Sequence, residues 1–543
     1  MKRYLLAMFL LLLMSPLKAQ IKNEKPKLVV GIVVDQMRYD YLTRFWNQFG
    51  EEGFKRLVNN GYNFKNNHFN YVPTYTGPGH ASVFTGTTPE YHGIIGNGWF
   101  DKFEDRSVYC VSDESVQPVG TESEAGKMSP HRMKSTTFTD ENRLHTQMKG
   151  KTIGIALKDR GAILPAGHSA NAAYWFHGQD EAKWISSNYY MSDLPGWVKE
   201  FNNSGKAKAY LKTWNTLRDI KSYTESGVDE NNFEFGYQGK EKATFPYDLK
   251  TLAAENGNFE LIKATPFGND LTAEFAKAAV EGESLGEDDI TDILTLSFSS
   301  TDYVGHNFGV NSKEIQDTYL RLDLAIGDFL AYLDKTVGAG EYTVFLTADH
   351  GGVDVPAYLK SRKIPSGYFE DVKMNEKIEK FVNEEFKVDS LIQNISNTQV
   401  FLDYKVLKEE DLDAHEVQQK IAHYLLQQKN ISRVYTREQL QSASFTEGIS
   451  ALIQNGFNQE RSGDILFVLD PGYIIYPEKG TTHGSGFMYD THVPLIFFGK
   501  GIKPGSTFEH SVIPDIAPTI SALLGISFPD ASIGRPLVEM LED

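Results

Sequence analysis

The sequence predicts an α/β fold: a mostly parallel central sheet with helices on both faces and insertions capping one edge. Two observations carry that prediction. Near-continuous apolar runs of strand length recur along the chain, the pattern of strands covered on both faces. Segments with helical periodicity alternate with them. In order, Leu28–Val34 ends at Asp35, Thr152–Leu157 ends at Lys158, Asp292–Phe298 runs toward Asp302, and Tyr342–Thr347 ends at Asp349. Asp464–Leu469 and Val493–Phe498 have the same character. Between strands, Asn311 with Glu314 resembles a capping box. Ile315, Tyr319, Leu322, Ile326, Phe329 and Leu333 follow at helical spacing, and Gly338 and Gly340 stop that helix. Pro78 suits the first turn of a helix, which places Thr76 just ahead of its N-terminus. Ligands of such sheets bind beyond the carboxyl ends of the strands. That is where Asp35, Asp302 and Asp349 fall.

Composition narrows the class. The chain has 543 residues, a net charge of −18 and one cysteine, Cys110. With 34 Phe, 27 Tyr and 6 Trp it is no disordered chain. A lone cysteine excludes a disulfide framework and Cys-rich metal knuckles. The acidic balance argues against a nucleic-acid partner, since phosphate backbones need clustered Lys and Arg. Lys2, Arg3, the apolar run Tyr4–Met14 and the small residue Ala19 read as a cleaved signal peptide over residues 1–19, so a periplasmic or secreted protein is expected. No later apolar stretch suits a membrane span. Residues 20–543 then form the α/β domain. Stretches at about 100–285, rich in Tyr, Trp, Asn and Gly, and at about 355–480 read as insertions over the carboxyl edge of the sheet.

Three acids and three histidines carry the chemistry. Asp35 follows the first strand. Asp302 and His306 lie in Ser300-Thr-Asp-Tyr-Val-Gly-His306, Asp349 and His350 in Ala348-Asp-His-Gly-Gly352, and His483 among glycines in Thr481-Thr-His-Gly-Ser-Gly486. Such a mixed set suits zinc. Six ligands exceed one tetrahedral ion and suffice for two three-ligand sites with open positions. Two such ions form the clamp used in phosphoryl displacement. Thr76, in Pro73-Thr-Tyr-Thr-Gly-Pro-Gly-His-Ala81, is the nucleophile candidate, because backbone N–H groups at a helix N-terminus favour an anion. Asn97 sits in a glycine-flanked loop, and Lys158 and Arg160 put two cations at a strand end. Taken singly, each has a plainer reading: helix cap, turn asparagine, solvated basic turn. Their conjunction carries the weight.

The set resembles the alkaline phosphatase superfamily, and within it the PafA-type monomeric, phosphate-irrepressible bacterial enzymes. The resemblance implies one zinc ligated by Asp35, Asp349 and His350 and a second by Asp302, His306 and His483. Thr76 becomes the nucleophile, with its oxygen beside the metals, and Asn97, Lys158 and Arg160 contact the phosphoryl oxygens. It further implies that Lys158 stands where related phosphatases hold a third metal ion, and that the protein is a monomer. The segment Gly77-Pro-Gly79 departs from the best-known members, and the sulfatase signature Cys-x-Pro-x-Arg is absent. The expected activity is hydrolysis of small-molecule phosphate monoesters through a phosphothreonine, releasing inorganic phosphate. Two cations favour a dianionic monoester over a diester, and Arg adds bidentate geometry. The alternatives are a phosphodiesterase or nucleotide pyrophosphatase of the same superfamily, a phosphomutase, which a secretory signal disfavours, and a non-catalytic secreted binding protein on this scaffold.

Overall fold

The computed structural model describes residues 25–542, so the expected signal peptide lies outside the described residues. A ten-stranded sheet forms its centre. Its strands are β1 (Leu28–Val34), β2 (Tyr62–Phe64), β3 (Pro118–Val119), β4 (Thr152–Ala156), β5 (Ala172–His177), β6 (Lys183–Ser187), β7 (Asp292–Phe298), β8 (Tyr342–Thr347), β9 (Leu495–Gly499) and β10 (Gly505–Thr507). They are ordered β10-β2-β9-β8-β1-β7-β4-β5-β6-β3. The run from β8 to β5 is parallel throughout. β1, β4, β7 and β8 are buried along their whole length, so both faces are covered, which is why they read as unbroken apolar runs. The outer pairings β8–β9, β9–β2, β5–β6 and β6–β3 are antiparallel.

Register sets the site. Val33 of β1 pairs with Ser297 of β7 and with Thr347 of β8, and Ser297 pairs with Ala156 of β4. Four carboxyl ends therefore finish level, and the residues that follow emerge along one edge. Gly31 in β1 is fixed by packing: a Cβ there would lie 2.6 Å from the Phe345 ring.

Five helices matter below: α1 (Thr76–Thr85), α2 (Asp159–Ala166), α3 (Pro266–Gly282), α4 (Ser300–Phe308) and α5 (Lys313–Leu333). The helix foreseen after Asn311 is α5, but Ser312 is its N-cap, its side chain accepting from the Ile315 N–H. Two other readings change. The run at Asp464–Leu469 forms a strand, Ile465–Leu469, outside the main sheet. It lies in a four-stranded antiparallel sheet with Ile392–Ser396, Gln399–Leu402 and Ile431–Thr436, over a separate apolar core that includes Ile378, Val400, Leu407, Ile421 and Ile465. An apolar run announces burial and not the sheet that buries it. Within residues 100–285, β3, β5 and β6 join the main sheet beside the expected β4, because short strands such as the Tyr- and Trp-bearing Ala172–His177 hide in a composition that resembles loop. Among the described residues no helix is long and apolar enough to cross a membrane.

Candidate active site

The strand ends deliver the acids. Asp35 leaves β1 and Asp349 leaves β8, both fully buried. Asp302 and His306 sit one turn apart on α4, so both project from one face. Their side chains meet, His306 Nε2 lying 3.2 Å from Asp302 Oδ1. His483 arrives on a loop, its Nε2 3.6 Å from the same oxygen. His350 Nε2 lies 3.5 Å from both Asp35 Oδ1 and Asp349 Oδ2. The rings of His350 and His483 stack with centroids 3.4 Å apart.

Two trios of donor atoms fall within 4.8 Å of one another: Asp35, Asp349 and His350, and Asp302, His350 and His483. His306 reaches this group through Asp302. All six acids and histidines singled out in the sequence are thus brought together.

The histidine tautomers are set by the backbone. Nδ1 of His306 meets the Thr481 carbonyl at 2.7 Å, that of His483 the Thr74 carbonyl at 2.8 Å, and that of His350 the Gly351 carbonyl at 2.9 Å. A carbonyl only accepts, so each Nδ1 carries the proton; Nε2 of His350 and of His483 then offers a lone pair to the centre, while Nε2 of His306 faces the Asp302 carboxylate. Burial, with His306 nearby and against the pull of Asp302, holds His483 down to about 3. Burial and His483 keep His350 well below its ordinary range. Both rings are neutral. His306 is raised, because Asp302 outweighs the burial that opposes it.

The carboxyls want a cation. Burial, reinforced by Asp302 and countered by Lys158, raises Asp35 to about 6. Burial and the Asp35 charge hold Asp349 well above the carboxylate range. Burial would raise Asp302 as well, but His306 and Lys158 outweigh it and hold it low. Asp35 Oδ1 and Asp349 Oδ2 are buried without a hydrogen bond. Orphaned carboxylate oxygens beside free imidazole nitrogens are the donor set of a divalent metal site.

Lys158 is the buried cation among these acids, 2.6 Å from Asp35 Oδ2 and 2.5 Å from Asp302 Oδ2. Its Nζ is also 3.4 Å from Thr76 Oγ1. Thr76 is the first residue of α1, and its Oγ1 lies 3.5 Å from His350 Nε2. Asn97 Oδ1 accepts from the Gly77 N–H at 2.7 Å, which ties its amide to the residue after Thr76. Arg160, two residues past Lys158 in the first turn of α2, takes another partner: its Nη1 donates to the Tyr109 hydroxyl at 2.9 Å, and that hydroxyl donates to Asp159 at 2.5 Å. Its Nε is buried without a partner.

Gly79 explains the unusual segment Gly77-Pro-Gly79. A Cβ on Gly79 would fall 2.2 Å from the Asp349 carbonyl oxygen, so only glycine lets α1 press against the β8 end.

Sequence reasoning missed three supporting residues. Gln36 hydrogen-bonds both Asp302 and Asp349. His80 joins the Thr76 carbonyl to Ser297 Oγ, each at 2.9 Å. Tyr109 holds Arg160. A turn glutamine and a strand tyrosine carry no motif; for His80 the only signal is its position one turn after Thr76. A cavity of about 130 Å3 opens between the main body and the small sheet, bordered by Tyr75, His483, Asn397, Leu466 and Asp490.

Residues 29–492 match the family model described as type I phosphodiesterase / nucleotide pyrophosphatase. The chain is 47% identical over 525 residues to alkaline phosphatase PafA of Elizabethkingia meningoseptica, covering 95% of each protein. It is 46% identical to a Myroides odoratus protein described as a calcium-transporting ATPase, covering 96% of each. It is 44% identical to alkaline phosphatase PhoV of Synechococcus elongatus, covering 95% of this chain and 93% of that one. The crystal structure of wild-type PafA superposes with a TM-score of 0.92 at 46% identity, over 95% of this chain and 99% of that one.

Proposed function

The chain belongs to the type I phosphodiesterase / nucleotide pyrophosphatase family and is a PafA-like alkaline phosphatase, and from that premise we propose that it hydrolyses phosphate monoesters through a phosphothreonine at Thr76. The observation that supports this most is the placement of the Thr76 hydroxyl. It heads α1, with Lys158 Nζ at 3.4 Å and His350 Nε2 at 3.5 Å, against three buried carboxyls.

Asp35, Asp349 and His350 would hold one zinc ion, and Asp302, His306 and His483 a second. When bound, the ions supply Lewis-acid stabilisation of the attacking and leaving oxygens. Thr76 Oγ attacks phosphorus in line. Its bond to phosphorus forms as the ester P–O bond breaks, the hydroxyl proton is lost, and the alcohol leaves protonated. Water then displaces Thr76 Oγ and releases inorganic phosphate. The non-bridging oxygens meet Asn97 Nδ2, Lys158, Arg160 and the amide end of α1, where charge spreads in the transition state. Two cations match a dianionic monoester, and this pair separates the reading from a diesterase.

We place the protein in the periplasm or outside the cell, from residues 1–19 of the sequence, and expect it to act as a monomer on small phosphate monoesters.

The test is Thr76→Ala. Monoester hydrolysis should fall to background while two zinc ions per chain are retained by elemental analysis. Arg160→Ala should lower monoester turnover and leave diester turnover nearly unchanged. Retained activity in the Thr76 variant, or a parent enzyme faster on diesters, sinks this reading.

A further inference from the structure

We propose that Gln36 is a positioning residue that clamps the two metal-ligand trios to each other, through its backbone on one side and its side chain on the other. The proposal rests on the two-zinc reading above.

Four observations support it. First, Gln36 directly follows Asp35, and its backbone N–H donates to Asp349 Oδ1 at 3.1 Å. That bond occupies one oxygen of Asp349 and turns the other, Oδ2, toward His350. Second, its Nε2 donates to Asp302 Oδ1 at 2.8 Å. This is the oxygen that faces His306 and His483, so the amide takes one of its lone pairs and fixes the direction of the other. One residue thereby orients an acid from each trio.

Third, Gln36 has φ of 61°. A non-glycine residue rarely adopts the left-handed region, and such strain persists only where its surroundings enforce it. Nothing about a turn here requires a glutamine; Gly or Asn would fill the same backbone at less cost. What the position gains from glutamine is the amide reach to Asp302.

Fourth, the neighbouring sequence makes room for it. Gly305, between Asp302 and His306, would place a Cβ 1.9 Å from Gln36 Oε1, and Gly352, two residues after His350, would place one 3.2 Å from Gln36 Cδ. A glycine in each ligand-bearing segment leaves the slot through which this side chain passes. The side chain is buried at 2% exposure.

Partners that orient metal ligands typically alter metal affinity by about 10–100-fold when removed. Gln36→Gly keeps the backbone N–H and relieves the strained φ, and it removes the side chain with its amide. Zinc should therefore weaken about 10–100-fold at one site of two and hold at the other, measured by equilibrium dialysis against zinc buffers with elemental analysis. Gln36→Glu is the near-isosteric second variant. It sets a carboxylate against Asp302, and its loss at the same site should be at least as large. A residue that merely filled space would shift both sites together or neither. Equal affinities at both sites in the two variants and the parent overturn the proposal, as does a parallel loss at both sites. A parent that fails to bind two zinc ions overturns the underlying two-zinc reading instead, so the two failures are distinguishable.

Discussion

Replacing Gly79 with alanine should damage the enzyme, although helix propensity alone predicts the opposite. Gly79 lies inside α1, where Gly→Ala normally stabilises by about 1 kcal/mol. Here the new Cβ would stand 2.2 Å from the Asp349 carbonyl oxygen and 2.7 Å from Asp349 Cβ. Ordinary contact needs about 3.4 Å or more. The α1 backbone and the end of β8 must then separate by about 1 Å, and neither obstacle is a flexible side-chain end. Thr76 rides on α1 and Asp349 on β8, so this displacement opens the gap that the reaction depends on. A misplacement of about 1 Å can reduce rate on the order of 10²-fold. Overpacking adds about 1–3 kcal/mol of destabilisation, enough to cancel the propensity gain. The assay is kcat/KM on an aryl phosphate, together with Tm and zinc content. Gly77→Ala is the matched control: its Cβ would meet Asn97 Oδ1 and Cys110 Sγ at 3.2 Å, a misfit of tenths of an ångström, so its loss should stay within about tenfold. If Gly79→Ala keeps activity within about threefold of the parent, the close-approach reasoning is wrong.

Two further predictions concern residues behind the site. His92 is fully buried, its Nε2 2.9 Å from Ser82 Oγ and its Nδ1 accepting from the Ile94 N–H at 3.1 Å. Protonating Nδ1 breaks that bond, and burial, with Arg461 adding, lowers His92 to about 3. A depressed folded-state pKa gives stability that is complete above the unfolded value near 6.5 and lost as pH falls toward 3, on the order of 5 kcal/mol at the limit. His92→Gln should therefore flatten the fall of denaturant midpoint between pH 6.5 and 4; a parallel curve for the variant counts against the assignment. Tyr109→Phe frees Arg160 from its anchor and should lower monoester kcat/KM about tenfold, the worth of one hydrogen bond to a charged group, while sparing diesters. Equal losses on both substrates would show that Tyr109 does not act through Arg160.

Much of this was legible in the sequence, for a physical reason. β1, β7 and β8 are covered on both faces, so their burial appears as unbroken apolar runs. The first polar residue after such a strand must surface at the carboxyl edge, where Asp35 and Asp349 lie. Asp302 and His306 stood out as an Asp-x-x-x-His pair just after a strand run, and the structure places both on α4. What stayed hidden depends on long-range contact. Gln36 matters because Gly305 and Gly352 clear its path, and those partners are more than 260 residues away in the chain. Ile465–Leu469 has the composition of a core strand and belongs to another core. β5 and β6 were lost within residues 100–285 because β5 is a short aromatic run, Ala-Ala-Tyr-Trp-Phe, and β6 a short strand begun by Lys183 and ended by two serines, both set in a stretch rich in polar and turn residues.

The four-stranded sheet has its own apolar interior and meets the hairpin that follows Asn97 through polar bonds, among them Asn397 Nδ2 to the Gly98 carbonyl at 2.8 Å and Gln393 to Asp105 at 2.9 Å, and through Phe401 edge-on against Phe100. That separation makes it a module. Substitutions that reshape its inner surface draw on a reservoir of stability distinct from the one that holds the acids and histidines in place. The polar face of the cavity it contributes, such as Asn397 and Thr398, can therefore drift or be redesigned while the reacting centre keeps its geometry. A scaffold partitioned in this way can change which alcohol it accommodates without relearning how to cleave the bond.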